Sequence, residues 1–138
     1  MENLIDMIKR HEGFRNFPYM DSVGKLTVGY GRNLEDVGIS KAEAEILLVN
    51  DINIATGDLV DILPESTTYG RNRFNALVDM MFNLGKTKFR GFKKMIAALK
   101  ERNFKKAAME MLDSKWATQV GYRANDLAYM VEFDKQGV

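Results

Sequence analysis

Glu12, Asp21 and Thr27 are the residues of this chain whose types and spacing could do chemistry. Glu12 stands in His11-Glu12-Gly13, where a helical pattern stops. Asp21 opens the turn Asp21-Ser22-Val23-Gly24, and Thr27 lies on the strand-like run that follows. A helix end, a turn and a strand this close in sequence can fold back on one another, bringing two carboxyl groups and a hydroxyl into one small region. Two carboxyl groups facing a cleft are equipped to cleave a glycosidic bond. One protonates the departing oxygen, and the other activates water or stabilises positive charge. Each residue also has a plain structural reading. Glu12 can be a surface carboxylate, Asp21 a turn former bonded to nearby backbone N–H groups, and Thr27 a strand residue chosen for β-propensity. Taken singly, those readings win.

The elements that must position the three are legible. Residues 2–12 read as a short amphipathic helix with Leu4, Ile5 and Ile8 on one face, stopped at Gly13. Residues 17–31 read as a hairpin, with Leu26, Val28 and Tyr30 pointing one way and Lys25, Thr27 and Gly29 the other. Ser40-Lys41-Ala42-Glu43 is a capping box that starts a long helix, expected to run to about Leu63 before Pro64. Further helices are expected over 71–84, 92–102, 104–113 and 122–133. A carboxylate at a helix C-terminus meets the negative end of the helix dipole, an effect of about 0.3–1 kcal/mol. Keeping Glu12 protonated as an acid therefore calls for burial as well, beside Phe14, Tyr19 or Tyr30.

Composition removes most competing chemistries. The chain has 138 residues, 46% hydrophobic and 28% charged, which suits one soluble domain with a real core. It has no cysteine, which excludes disulfides, thiolate nucleophiles and Cys-based zinc sites. The single histidine, His11, makes a histidine-rich metal site implausible, and no metal or other cofactor is expected. The net charge of +1 does not argue for nucleic acid or an anionic membrane. Charge is nonetheless uneven: Leu34 to Glu65 is nearly all acidic and Lys86 to Lys106 nearly all basic. Such stretches are usually solvated helix faces; the functional reading of the second is a basic rim for an anionic polymer, either bacterial wall or nucleic acid. The nine Met residues mostly sit at apolar helical positions and read as adaptable core filling. Residues 1–12 contain no apolar signal-peptide core and no run can span a membrane, so no stable membrane association is expected.

The order Glu12, Asp21, Thr27 and its framing residues resemble the phage-type lysozymes, the glycoside hydrolase endolysins. Glu12-Gly13-Phe14-Arg15, Tyr19-x-Asp21 and Gly24-x-Leu26-Thr27-Val28-Gly29-Tyr30-Gly31 follow that family's pattern. Ser40-Lys41-x-Glu43, Phe82-Asn83-Leu84-Gly85, Gly91-Phe92, Trp116, Gln119 and Arg123 extend the resemblance over almost the whole chain. It implies an α+β, predominantly α, lysozyme-like fold. A small hairpin lobe (about 13–58) and a larger helical lobe (about 59–138 together with helix 1–12) are joined by a long helix, with a cleft between the lobes. It implies cleavage of the β-1,4 bond between N-acetylmuramic acid and N-acetylglucosamine in bacterial peptidoglycan, with inversion, by a monomer held in the host cytoplasm before release. Glu12 would be the general acid, and Asp21 with Thr27 would hold and activate water. Gly31, Asn33 and Phe82 would line the substrate cleft, Trp116 would anchor the helical core, and Arg123 would approach Glu12. The sequence departs from the pattern at Arg32, where some relatives carry His, so a His-based ion pair is not available. A lytic transglycosylase, an inactive peptidoglycan-binding module of the same fold and a nucleic-acid binder using Lys86–Lys106 are the rival readings.

Overall fold

A computed structural model describes residues 1–137. Backbone contacts group the chain into two units, 1–47 and 48–138. The boundary falls within the longest helix.

The first unit begins with α1 (Leu4–Glu12). Asn3 caps it, its side chain accepting from the Asp6 N–H at 2.8 Å. Lys9, Arg10 and His11 occupy its last turn, where cations suit the helix dipole. Gly13 ends it with φ of 69°, a conformation that favours glycine, and its N–H donates to Lys9 O. Three antiparallel strands follow in the order β1-β2-β3: β1 (Arg15–Met20), β2 (Leu26–Gly29) and β3 (Arg32–Asn33). Pro18 has no N–H to donate and sits on the edge strand β1, where the register shifts between Arg15 and Tyr19. Beyond that irregularity Tyr19 pairs with Thr27, and Thr27 pairs in turn with Asn33. The expected hairpin is therefore a three-stranded sheet. Gly29 and Gly31, both at positive φ, reverse the chain tightly around Tyr30 and return it along β2.

The alternation on β2 also holds, but the face it covers differs from expectation. Thr27 is only 3% exposed, whereas Leu26 and Tyr30 are exposed. Thr27 lies on the central strand, paired with Tyr19 on one side and Asn33 on the other.

The capping box forms as expected. The Ser40 N–H donates to Glu43 Oε1 at 2.8 Å, and the Glu43 N–H donates to Ser40 Oγ at 3.1 Å. They open α2 (Lys41–Ile62), after which Pro64 begins a single 3₁₀ turn, Pro64–Thr68. The helical unit continues with α3 (Arg71–Leu84), α4 (Lys86–Arg90), α5 (Lys93–Lys100), α6 (Phe104–Leu112), α7 (Lys115–Val120) and α8 (Tyr122–Phe133). α8 packs on α3 and α6, and α6 packs on α5. Leu59, Leu77, Phe89, Leu99, Trp116, Leu127 and Val131 are among the core residues. Met80, Met81, Met95 and Met111 are buried with them as core filling, whereas Met1, Met7, Met20 and Met109 are exposed, so the expectation holds for only part of the nine.

Three polar anchors close this unit. The Tyr69 hydroxyl donates to Leu99 O at 2.8 Å, and burial pushes that phenol up to about 12. The Arg73 guanidinium donates to Val131 O, Glu132 O and Tyr69 O, and lies 3.8 Å from the Phe104 ring centroid. Asp134 accepts from the N–H groups of Asn72 and Arg73, capping the start of α3. Among the described residues no helix is long and apolar enough to cross a membrane.

Candidate active site

Glu12 is the last residue of α1, and Gly31 is the residue pressed against it. A Cβ built on Gly31 would lie 2.5 Å from Glu12 Oε2 and 2.8 Å from its Cδ. Only a residue without a side chain lets the turn between β2 and β3 approach the carboxyl this closely, and the φ of +75° at Gly31 adds a second reason for glycine. Beside this contact, Tyr30 packs on Phe14 with ring centroids 5.3 Å apart, and the Lys9 ammonium sits 5.4 Å from the Tyr30 centroid. These contacts tie the end of α1 to the sheet. They do not bury the acid. Glu12 is exposed, so the covering expected from Phe14, Tyr19 or Tyr30 is not found; Phe14 and Tyr30 pack on each other, and Tyr19 packs under the Arg15 guanidinium.

Asp21 and Thr27 are organised through one intervening residue, Lys25. Asp21 Oδ1 accepts from the Lys25 N–H at 2.8 Å and from the Val23 N–H at 3.0 Å. The Asp21 N–H in turn donates to Lys25 O at 2.9 Å. The Thr27 hydroxyl donates to the same Lys25 O, also at 2.9 Å. Both backbone groups of Lys25 thus hold the pair, a role that a side-chain pattern does not reveal. The hydrogen bonds leave defined capacity. Among the described residues nothing donates to Asp21 Oδ2, so one carboxylate oxygen remains an open acceptor. Thr27 has used its proton, so its oxygen can only accept.

The other expected site residues divide. Gly31 belongs to the constellation through Glu12. Asn33 lies beside Thr27 in the sheet, but its amide is committed locally: Nδ2 donates to Asp36 Oδ2 and Oδ1 accepts from the Asp36 N–H, each at 3.0 Å. Phe82 is in the helical unit, 41% exposed, on the wall of a small pocket with Val78, Asp79 and Arg123. Arg123, expected near Glu12, has Asp79 as its partner, with Nε at 2.8 Å and Nη2 at 2.6 Å from Oδ1. Trp116 is core as expected, and its indole N–H donates to Asn83 Oδ1 at 2.7 Å.

Arg32 forms a two-pronged pair of its own. Nη1 and Nη2 reach the two oxygens of Glu43 at 2.8 and 2.5 Å, and Nη1 also donates to Gly38 O. This fork, and then the Ser40 N–H, hold the Glu43 carboxyl down at about 2. Arg32 adjoins Gly31, so the pair fastens the turn that abuts Glu12 to the start of α2. Among the described residues no group of three or more His, Asp or Glu side chains converges as a metal site.

Known proteins resemble this chain over most of its length. A model of the family described as phage lysozyme matches residues 9–129, a span that includes Glu12, Asp21, Thr27 and Gly31. A probable T4-type lysozyme 2 of Dictyostelium discoideum is 27% identical, over 96% of this chain and 95% of the relative. A second such protein of that organism, probable T4-type lysozyme 1, is 26% identical over the same shares. An endolysin of Acyrthosiphon pisum secondary endosymbiont phage 1 is 36% identical over 60% of this chain and 58% of its own length.

Proposed function

This chain belongs to the phage lysozyme family and is a peptidoglycan hydrolase; from that premise we propose that it cleaves the β-1,4 bond between N-acetylmuramic acid and N-acetylglucosamine by inverting acid–base hydrolysis. Glu12 is the general acid. Its carboxyl stands exposed at the end of α1, where a glycan strand laid over it can be reached. Gly31 leaves that carboxyl room and limits where it can go. Asp21 Oδ2 and the Thr27 oxygen are both acceptors. A water that donates one hydrogen to each turns its own lone pair outward, toward the anomeric carbon, and gives up its proton to Asp21 as the bond breaks. Sugar contacts beside the acid come from the turn at Gly31 and from Asn33, next to Thr27 in the sheet. The protein acts as a monomer on the bacterial wall, since the acid and the water-holding pair lie on one chain within residues 12–27.

The observation that carries this reading is the shared anchoring of Asp21 and Thr27 on Lys25, which leaves acceptors and no donor for the water. The test is clearing of permeabilised bacteria by the purified protein and by Glu12→Gln. The variant is expected to lose activity by several orders of magnitude at unchanged helicity; undiminished clearing would sink the assignment of Glu12. Product ends discriminate the chemistry. Reducing ends are expected, while 1,6-anhydro ends would make the protein a lytic transglycosylase.

A further inference from the structure

The hydrolytic reading leaves the basic run from Lys86 to Lys106 unused, and the fold sorts its cations. Lys86 is committed to Asp61 and lies near Asp58, while Arg102 donates to Thr68 and lies over the rings of Tyr69 and Phe104. Lys88, Lys93 and Lys94 instead line a groove of about 680 Å³ in the helical unit, joined there by Lys115 from α7. All four are exposed, and none has an ion pair among the described residues. The volume lies within the range of ordinary ligand sites. Two carboxylates, Glu110 and Asp113, share the lining, so four ammonium groups face two acids and the groove keeps an excess of two positive charges. Its floor is apolar, formed by Leu84, Met95 and the edge-to-face pair Phe92 and Trp116, with centroids 6.1 Å apart.

We propose that this groove binds a phosphodiester-linked polyol chain, the class of anionic polymer attached to many bacterial walls; the inference rests on the wall-hydrolase reading. Carboxylate recognition favours the planar fork of Arg, and no Arg lines the groove. Lysines act as point charges that suit phosphate. They come from three elements, α4, α5 and the start of α7, so the groove matches repeated charges along a strand better than one small anion. Trp116 is 5% exposed, so the floor offers a narrow apolar strip. That strip accommodates the C–H edges of polyol units but has no open indole face for a nucleic-acid base to stack on.

Trp116 is the only tryptophan of the chain, so its fluorescence reports on the groove directly. Titrating the full chain with poly(glycerol phosphate) at low salt is expected to give saturable binding, by fluorescence and by calorimetry. The double variant Lys93→Glu/Lys94→Glu is expected to bind at least about tenfold more weakly, with a shallower salt dependence. Absence of saturable binding by both methods, or equal affinity of the double variant, overturns the proposal. Tighter binding of a single-stranded oligonucleotide with the same number of phosphates also overturns it and reassigns the groove to nucleic acid. Digestion of walls stripped of the polymer keeps the two readings apart. Both proteins are expected to digest them equally, and inactivity of the unmodified chain there counts against the hydrolase reading instead.

Discussion

Replacing Gly31 with alanine separates the stability of the sheet from the placement of the acid. The new Cβ would start 2.5 Å from Glu12 Oε2, and ordinary contact begins at 3.4 Å, so the carboxyl must retreat by about 1 Å. Glu12 is exposed and lies at the end of a flexible side chain, so it can retreat cheaply. The folding cost is then mainly that of holding alanine at φ of +75°, about 1–2 kcal/mol. For a domain of this size that lowers the melting temperature by roughly 3–8 °C. Misplacing a catalytic group by about 1 Å costs activity on the order of 100-fold, or about 2.7 kcal/mol in the barrier. The expected result is therefore a folded protein with kcat reduced by about two orders of magnitude and KM changed far less. Turnover of soluble wall fragments at 25 °C, beside thermal unfolding, measures both. Activity within about twofold of the parent would refute the close-approach argument. A loss that merely tracked the unfolded fraction would show that Gly31 serves the turn alone.

The Arg32–Glu43 pair predicts a pH dependence whose sign is set by linkage. Glu43 is held at about 2 in the folded chain against an ordinary 4.5, first by Arg32 and then by the Ser40 N–H. Its stabilising contribution is therefore complete above pH 4.5 and is lost as pH falls toward about 2. In Arg32→Met the Glu43 titration observed by NMR is expected to move up toward its ordinary range, with the sheet loosening at higher pH than in the parent; an unmoved midpoint refutes the pairing. Arg73→Met removes a guanidinium that binds three backbone carbonyls, and a stability loss of about 2–4 kcal/mol is expected in urea unfolding. A loss under about 1 kcal/mol would mean that water replaces Arg73 there.

Elements bounded by local chemistry are legible in the residues themselves. Ser40 and Glu43 announce the start of α2, Pro64 its end, and Gly85 the end of α3, because each signal acts within a turn of the residues it governs. α4 and α7 escape such reading, since five and six residues are too few to display a helical period. α7 does carry one local sign, Ser114, whose hydroxyl accepts from the Ala117 N–H. β3 is two residues long and exists only through its pairing with β2. At the site, the order of Glu12, Asp21 and Thr27 is readable, but three facts are not. Alternation along β2 separates its two faces without telling which is covered, so it does not disclose the burial of Thr27. Lys25 works through its backbone, which residue identity does not reveal. Arg123 pairs with Asp79, and no local signal in the sequence points to that partner.

The two oxygens of Asp21 have separate employment: one builds the turn, and the other has no donor among the described residues. An asparagine there keeps the acceptor that folds the turn and replaces the other oxygen with an N–H donor. With Asp21 as the proposed base, a single such replacement would remove hydrolysis while keeping the hydrogen bonds that fold the turn. On that proposal, the distance in mutational steps between a lytic enzyme and a wall-binding module is one. A lineage carrying this turn can shed catalysis without first passing through an unstable intermediate.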